Sequence, residues 1–176
     1  MAMRILALDP AARCGFAFSG AKDRVEHSGV WLLAARGDDP GGQLQRLDDL
    51  LCEAIERWRP EVIVYELAGH GSHNMRAKAA HNEKCGVICL VANRYRLPAW
   101  GYLPNVWKAR AVGNGRATKQ EVMRRLERFF GIEATSEDQA DAIGVLLAAQ
   151  QGRPPEPVKK QQRRAEKRLR QLPRLF

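Results

Sequence analysis

Two carboxylates in this chain stand where a charge is hard to keep. Asp9 closes the apolar run Arg4-Ile-Leu-Ala-Leu-Asp9, and Glu66 closes Val62-Ile-Val-Tyr-Glu66. A charge at the end of a buried strand carries an uncompensated desolvation cost unless something pairs it. Asp138 and Asp141 follow at i, i+3 near the start of a helix, so they share one face. Gathered together, the four acids would form an oxygen cage suited to a divalent cation such as Mg²⁺. Two such ions about 4 Å apart stabilise the attacking and leaving oxygens of phosphodiester hydrolysis. Each acid also has an ordinary alternative. A strand-end acid can be the first loop residue facing water, and first-turn acids are favoured by the helix dipole.

Basic groups accompany these acids. Lys119 opens a helix beside the loop Gly113-Asn-Gly115, where free N–H groups and a lysine suit a phosphate. The loop lacks the spacing of a Walker motif. His81, Cys85 and Cys89 fall on one helical face, but structural zinc sites use tighter paired spacing. Cys85 and Cys89, beside Gly86, Val87 and Ile88, read as small core residues. His70 and His73 read as polar loop residues near a nucleic acid or in open solvent.

Charge is distributed unevenly. The chain carries 29 Lys and Arg against 20 Asp and Glu, a net +9. Residues 153–176 hold nine of the bases and two of the acids, which leaves residues 1–152 nearly balanced at +2. Such asymmetry points to a polyanionic partner, most simply nucleic acid; a solubilising tail is the alternative. Pro154, Pro155 and Pro157 mark a linker, so the expected division is a domain over 1–152 and a basic tail over 153–176.

The elements that would position these groups can be read from hydrophobic spacing. Strands are expected over 4–9, 13–19 and 25–33, with links short enough for antiparallel neighbours. Gly37 to Gly42 reads as a loop. Leu44, Leu47, Leu50, Leu51, Ala54, Ile55 and Trp58 make a helix that Pro60 stops. A strand over 62–66, a loop over 67–74, a long helix over about 75–95 and a strand over 98–102 follow. Thr118 and Glu121 form a capping box for a helix that Gly131 ends. Ser136 and Gln139 match a second capping box, opening a helix with Ala140, Ile143, Leu146 and Leu147 inward. The order is three strands, helix, strand, helix, strand, helix, helix: an α/β fold with a mixed five-stranded sheet flanked by helices.

A length of 176 residues fits one domain and a tail. The composition excludes a disulfide miniprotein and global disorder. No apolar run approaches the roughly 20 residues of a membrane span, and the first residues are too short an apolar run for a signal peptide. Cys14, Cys52, Cys85 and Cys89 form no CxxC pair, as expected of reduced thiols in the cytoplasm.

Four segments together resemble the RuvC family of Holliday junction resolvases. They are Ile5-Leu-Ala-Leu-Asp9-Pro-Ala-Ala-Arg-Cys-Gly15; Val62-Ile-Val-Tyr-Glu66; Val106-Trp-Lys108 with Gly113-Asn-Gly-Arg-Ala-Thr-Lys119; and Glu137-Asp138-Gln-Ala-Asp141-Ala. The Asp9-Pro10-Ala11 start is most similar to phage and prophage members. The resemblance implies a ribonuclease H-like fold and a homodimer that nicks opposed strands of a four-way junction with Mg²⁺ or Mn²⁺, two ions per site. It implies metal binding by Asp9, Glu66, Asp138 and Asp141, with Lys119 beside the cut phosphate, and a setting in bacterial or phage-infected cytoplasm. Candidate DNA contacts are Lys108, Arg116, Lys119, Arg76, His70 and His73, with Lys159, Lys160, Arg163 and Arg164 of the tail. Residues 67–73 lack the aromatic wedge of housekeeping resolvases, and the first loop is one residue shorter. Flaps and forks therefore join four-way junctions as expected substrates.

Three other readings compete. A basic branched-DNA-binding module without catalysis is disfavoured because all four acids are present. An actin-like or sugar-kinase nucleotide binder needs two such domains. The related nuclease that trims ribosomal RNA precursors has different motifs and usually lacks a basic tail.

Overall fold

The computed structural model describes residues 3–20, 22, 24–34, 39–69 and 74–151. His70, His73 and the whole linker and tail, including Lys159, Lys160, Arg163 and Arg164, lie outside the described residues. Among the described residues five strands form one sheet in the order β3-β2-β1-β4-β5. They are β1 (Ile5–Asp9), β2 (Arg13–Ser19), β3 (Val25–Leu32), β4 (Val62–Glu66) and β5 (Ala99–Tyr102). β1 pairs antiparallel with β2 and parallel with β4; β2–β3 is antiparallel and β4–β5 parallel. This is the mixed sheet expected from the spacing.

Central β1 is buried along its length and splits its side chains by pleat. Leu6 and Leu8 join a core beneath α1 (Pro40–Trp58) and α2 (Met75–Arg94). Ile5 and Ala7 join a second core beneath α3 (Pro104–Val112), α4 (Lys119–Phe130) and α5 (Glu137–Gln150). Period-2 alternation thus sends Asp9 toward the second core, and Val62 and Val64 do the same for Glu66.

Four expectations need correction. Pro40, Gly41 and Gly42 are not loop: they form the first turn of α1. Asp39 caps that turn through a 2.7 Å bond from Gly42 N, and Pro40 takes the first helical position, where its missing N–H costs nothing. Helix α3 was absent from the expected order. Its buried residues, Trp107, Ala111 and Val112, make no strong amphipathic stripe, and Leu103 gives it no side-chain cap. The second capping box is only half formed. Ser136 accepts from Gln139 N, but the Gln139 amide turns to Thr135 and, through Nε2, to Ser28 of β3 at 3.0 Å. Cys89 is exposed rather than in the core, although Cys85 is buried.

Helix α5 buries every residue from Gln139 to Ala148, because it lies between the sheet and α3 and α4. Ala140, Ile143, Leu146 and Leu147 are all among them.

Candidate active site

Strand register places the first two acids. Leu8 of β1 lies opposite Tyr65 of β4, so Asp9 and Glu66 end neighbouring parallel strands. Asp9 faces Gly15 of β2 on its other side. Gly15 is there because α5 comes so close. A Cβ on it would stand 1.9 Å from the Asp138 carbonyl oxygen. This approach brings the first turn of α5, and with it Asp138 and Asp141, over the ends of β1 and β2. Gly15 stood inside the first motif without an assigned role; only the packing reveals it.

The four carboxylates feel one another. Burial first, then the charges of Glu66, Asp141 and Asp138, hold the Asp9 carboxyl well above its ordinary value, against the pull of Lys119. Burial and the Asp141 charge push Glu66 up to about 7, although the Trp107 hydrogen bond, Lys108 and Lys119 oppose them. Burial raises Asp141 to about 6 against Lys119 and Lys108. Asp141 Oδ1 is buried without a hydrogen-bond partner. Asp138 is half-buried and accepts from Arg13 Nε at 3.3 Å.

Mutual repulsion and a buried, unpartnered oxygen are what a cation would relieve. The donor set is all oxygen, which suits a hard divalent ion. Among the described residues no group of three or more His, Cys, Asp or Glu side chains is already closed to metal-holding distance. The acids fit a cation by the chemistry of their donor set and by the repulsion they exert on one another.

The lysines lie beside the acids. Lys108 of α3 donates to the Ala117 carbonyl at 3.0 Å, and its ammonium stands 5.5 Å from the centre of the Trp107 ring. Lys119 pairs with Glu137 at 3.0 Å, and both side chains are about half exposed. Burial opposes the Lys119 charge, but the Glu137 bond and the Asp141, Glu137 and Asp138 charges raise its pKa. The capping box is complete: Thr118 N donates to Glu121 Oε2 at 2.8 Å, and Glu121 N to Thr118 Oγ1 at 3.2 Å. Arg116 is exposed in the loop before Lys119, and Arg76 is exposed in the first turn of α2.

His81 and Cys85 of α2 serve the backbone of β4, and Cys89 meets a side chain. His81 Nε2 donates to the Glu66 carbonyl at 3.0 Å, and Cys85 Sγ points at the same oxygen. Cys89 Sγ lies 3.1 Å from the Tyr65 hydroxyl. Sequence reasoning also gave no role to Trp107, whose Nε1 donates to Glu66 Oε2 at 2.5 Å. A tryptophan directly before Lys108 was the available signal.

Known proteins share this sequence pattern and fold. The family model described as crossover junction endodeoxyribonuclease RuvC matches residues 5–149. The RuvC of Mycobacterium sp. (strain KMS) is 30% identical over 154 residues, covering 82% of this chain and 81% of that protein. The RuvC of Anaeromyxobacter dehalogenans (strain 2CP-C) is 34% identical over 150 residues, covering 82% and 79%. In fold, the chain is similar to T. thermophilus RuvC in complex with Holliday junction substrate, with a TM-score of 0.72 and 20% identity over 83% of this chain and 92% of that one. It is also similar to the yeast mitochondrial Holliday junction resolvase Ydc2, with a TM-score of 0.60 and 14% identity over 85% and 78%. No helix of the described residues is long and apolar enough to cross a membrane. From β1 through α5, the chain belongs to the RuvC family of crossover junction endodeoxyribonucleases.

Proposed function

We propose that this protein is a structure-selective endodeoxyribonuclease that resolves branched DNA by paired nicks. The observation that carries the reading is the meeting of buried Asp9 and Asp141 with half-buried Glu66, mutually repelling acids, with Lys108 and Lys119 beside them. Asp9, Glu66, Asp138 and Asp141 would hold two Mg²⁺ or Mn²⁺ ions. Held by these residues, such ions would supply an activated water and charge stabilisation for the attacking and leaving oxygens. Lys119 meets the scissile phosphate from the start of α4, and Lys108 meets it from α3. Arg116, exposed beside Lys119, touches the adjacent phosphate, and Arg76, exposed in the first turn of α2, contacts the DNA; His70 and His73 are assigned to DNA contact by residue type alone.

Paired nicks need two sites about a two-fold axis, which a homodimer supplies. The outer face of α2 suits the contact. Met75 and Leu90 are exposed there, and a Cβ on Gly86 would meet nothing within 4 Å. The basic run within 153–176 supports a role for Lys159, Lys160, Arg163 and Arg164 in binding phosphates without reading bases. The Asp9-Pro10-Ala11 start supports a kinship with phage and prophage members acting in bacterial cytoplasm, where flaps and forks are substrates beside four-way junctions.

The test is a panel of a labelled four-way junction, a flap, a matching linear duplex and a structured RNA, each incubated with Mg²⁺. Cleavage of the branched DNAs and sparing of the duplex and RNA is the expected result. Preferential cutting of RNA, or tight junction binding without any cutting, would overturn it.

A further inference from the structure

Trp107 sits where three parts of the site meet. Its side chain is fully buried on α3. Its indole N–H donates to Glu66 of β4 at 2.5 Å, and the Lys108 ammonium lies near its ring. Its six-membered ring presses on α5, the helix that carries Asp138 and Asp141. Gly144 makes that contact possible, because a Cβ there would stand 2.3 Å from Trp107 Cζ3. One side chain therefore joins β4, α3 and α5.

A buried indole N–H needs an acceptor, and many backbone carbonyls would serve. Here the acceptor is an acid whose burial makes its charge costly. A charge-assisted bond of this length fixes the rotamer and engages Oε2, which leaves Oε1 outside the bond. Ring packing against Gly144 fixes the donor in turn, so the carboxylate is referenced to α5 as well as to its own strand.

We propose that Trp107 is a positioning residue for metal binding, holding the Glu66 carboxylate through its indole N–H, with Gly144 as its required counterpart on α5. The proposal rests on Glu66 being a metal ligand. Packing alone would require the shape of tryptophan but not its donor, and that difference is testable. Groups that orient a metal ligand are worth roughly 10–100-fold in metal affinity.

The experiment uses the full chain without DNA. Trp107 is replaced by 3-benzothienylalanine, which keeps the bicyclic shape and puts sulfur in place of N–H; Trp107→Phe is the companion variant. Calorimetry with Mn²⁺ should show affinity roughly 10–100-fold weaker for the sulfur isostere. Junction affinity in EDTA should stay unchanged. The chain has four tryptophans, so a ¹H–¹⁵N spectrum gives four indole signals, and Trp107→Phe identifies the one that disappears. That signal should move in Glu66→Gln. If wild type binds Mn²⁺ and the isostere binds it within twofold as tightly, the positioning role is wrong while Glu66 remains a ligand. If the indole signal ignores Glu66→Gln, the bond itself is refuted. A wild-type protein that binds no Mn²⁺ overturns the ligand assignment and this proposal with it.

Discussion

Asp141→Asn should make the metal-free protein more stable while abolishing cleavage. Asp141 is 5% exposed, its Oδ1 has no hydrogen-bond partner, and its carboxyl is raised from 3.8 to about 6. The folded state therefore holds this proton more tightly than the unfolded chain does. Between about pH 4 and pH 6 the native state binds more protons, so stability falls as pH rises through that window and then levels. A tenfold difference in proton affinity is worth about 1.4 kcal/mol, so the ionised form costs about 3 kcal/mol at pH 8 and roughly half that at pH 5. Asparagine removes the charge but leaves a poorly satisfied buried amide, which offsets about 1–2 kcal/mol. The expected net gain at pH 8 is about 1–2 kcal/mol, or a few degrees in Tm for a domain of this size. Urea unfolding in EDTA at pH 5 and pH 8 reads it directly. Mn²⁺ should then narrow the gap by stabilising wild type more than the variant. A variant no more stable than wild type at pH 8, or an advantage no larger there than at pH 5, would refute the electrostatic reasoning.

Three further outcomes follow from packing and charge. Gly15→Ala should force α5 away from β2, because its Cβ would meet the Asp138 carbonyl at 1.9 Å; we expect a loss of about 1–3 kcal/mol in unfolding free energy and slower cleavage at every Mg²⁺ concentration. Deleting residues 158–176 should weaken junction binding and flatten the slope of log affinity against log salt by roughly 0.9 for each phosphate the tail neutralises. Cut positions should not move, and an unchanged slope would assign the tail to solubility or a protein partner. Sedimentation at tens of micromolar should find a dimer that Gly86→Arg on α2 converts to monomer, whereas a wild-type monomer even on DNA would count against paired nicking.

Much of the scaffold was legible because burial imposes period on sequence. The runs 4–9 and 62–66 read as buried strands, and their terminal acids were conspicuous for ending them. Capping chemistry at Thr118 and Glu121 marked the start of α4 correctly. Legibility failed where tertiary packing overrides local pattern. Helix α3 has its buried residues packed against α5 rather than on a clean stripe, so its spacing carried little signal. Gln139 matched a capping box in sequence, yet its side chain found better partners in Thr135 and Ser28. Cys89 looked like core because its neighbours are apolar, but its position on α2 faces outward. The roles of Gly15, Gly144 and Trp107 depend on distances between segments far apart in the chain, and no local rule expresses those.

The four-carboxylate site is tested most directly by mapping nicks on an end-labelled synthetic four-way junction, with wild type and Asp9→Asn, in Mg²⁺ and in EDTA. Wild type should cut two opposed strands at symmetry-related positions in Mg²⁺ and leave the junction intact in EDTA. Asp9→Asn should bind the junction with unchanged affinity and cut it on the order of a thousandfold more slowly, a loss of about 4 kcal/mol in transition-state stabilisation. Cleavage by Asp9→Asn within a few-fold of wild type, or metal-independent cleavage by wild type, would contradict the assignment.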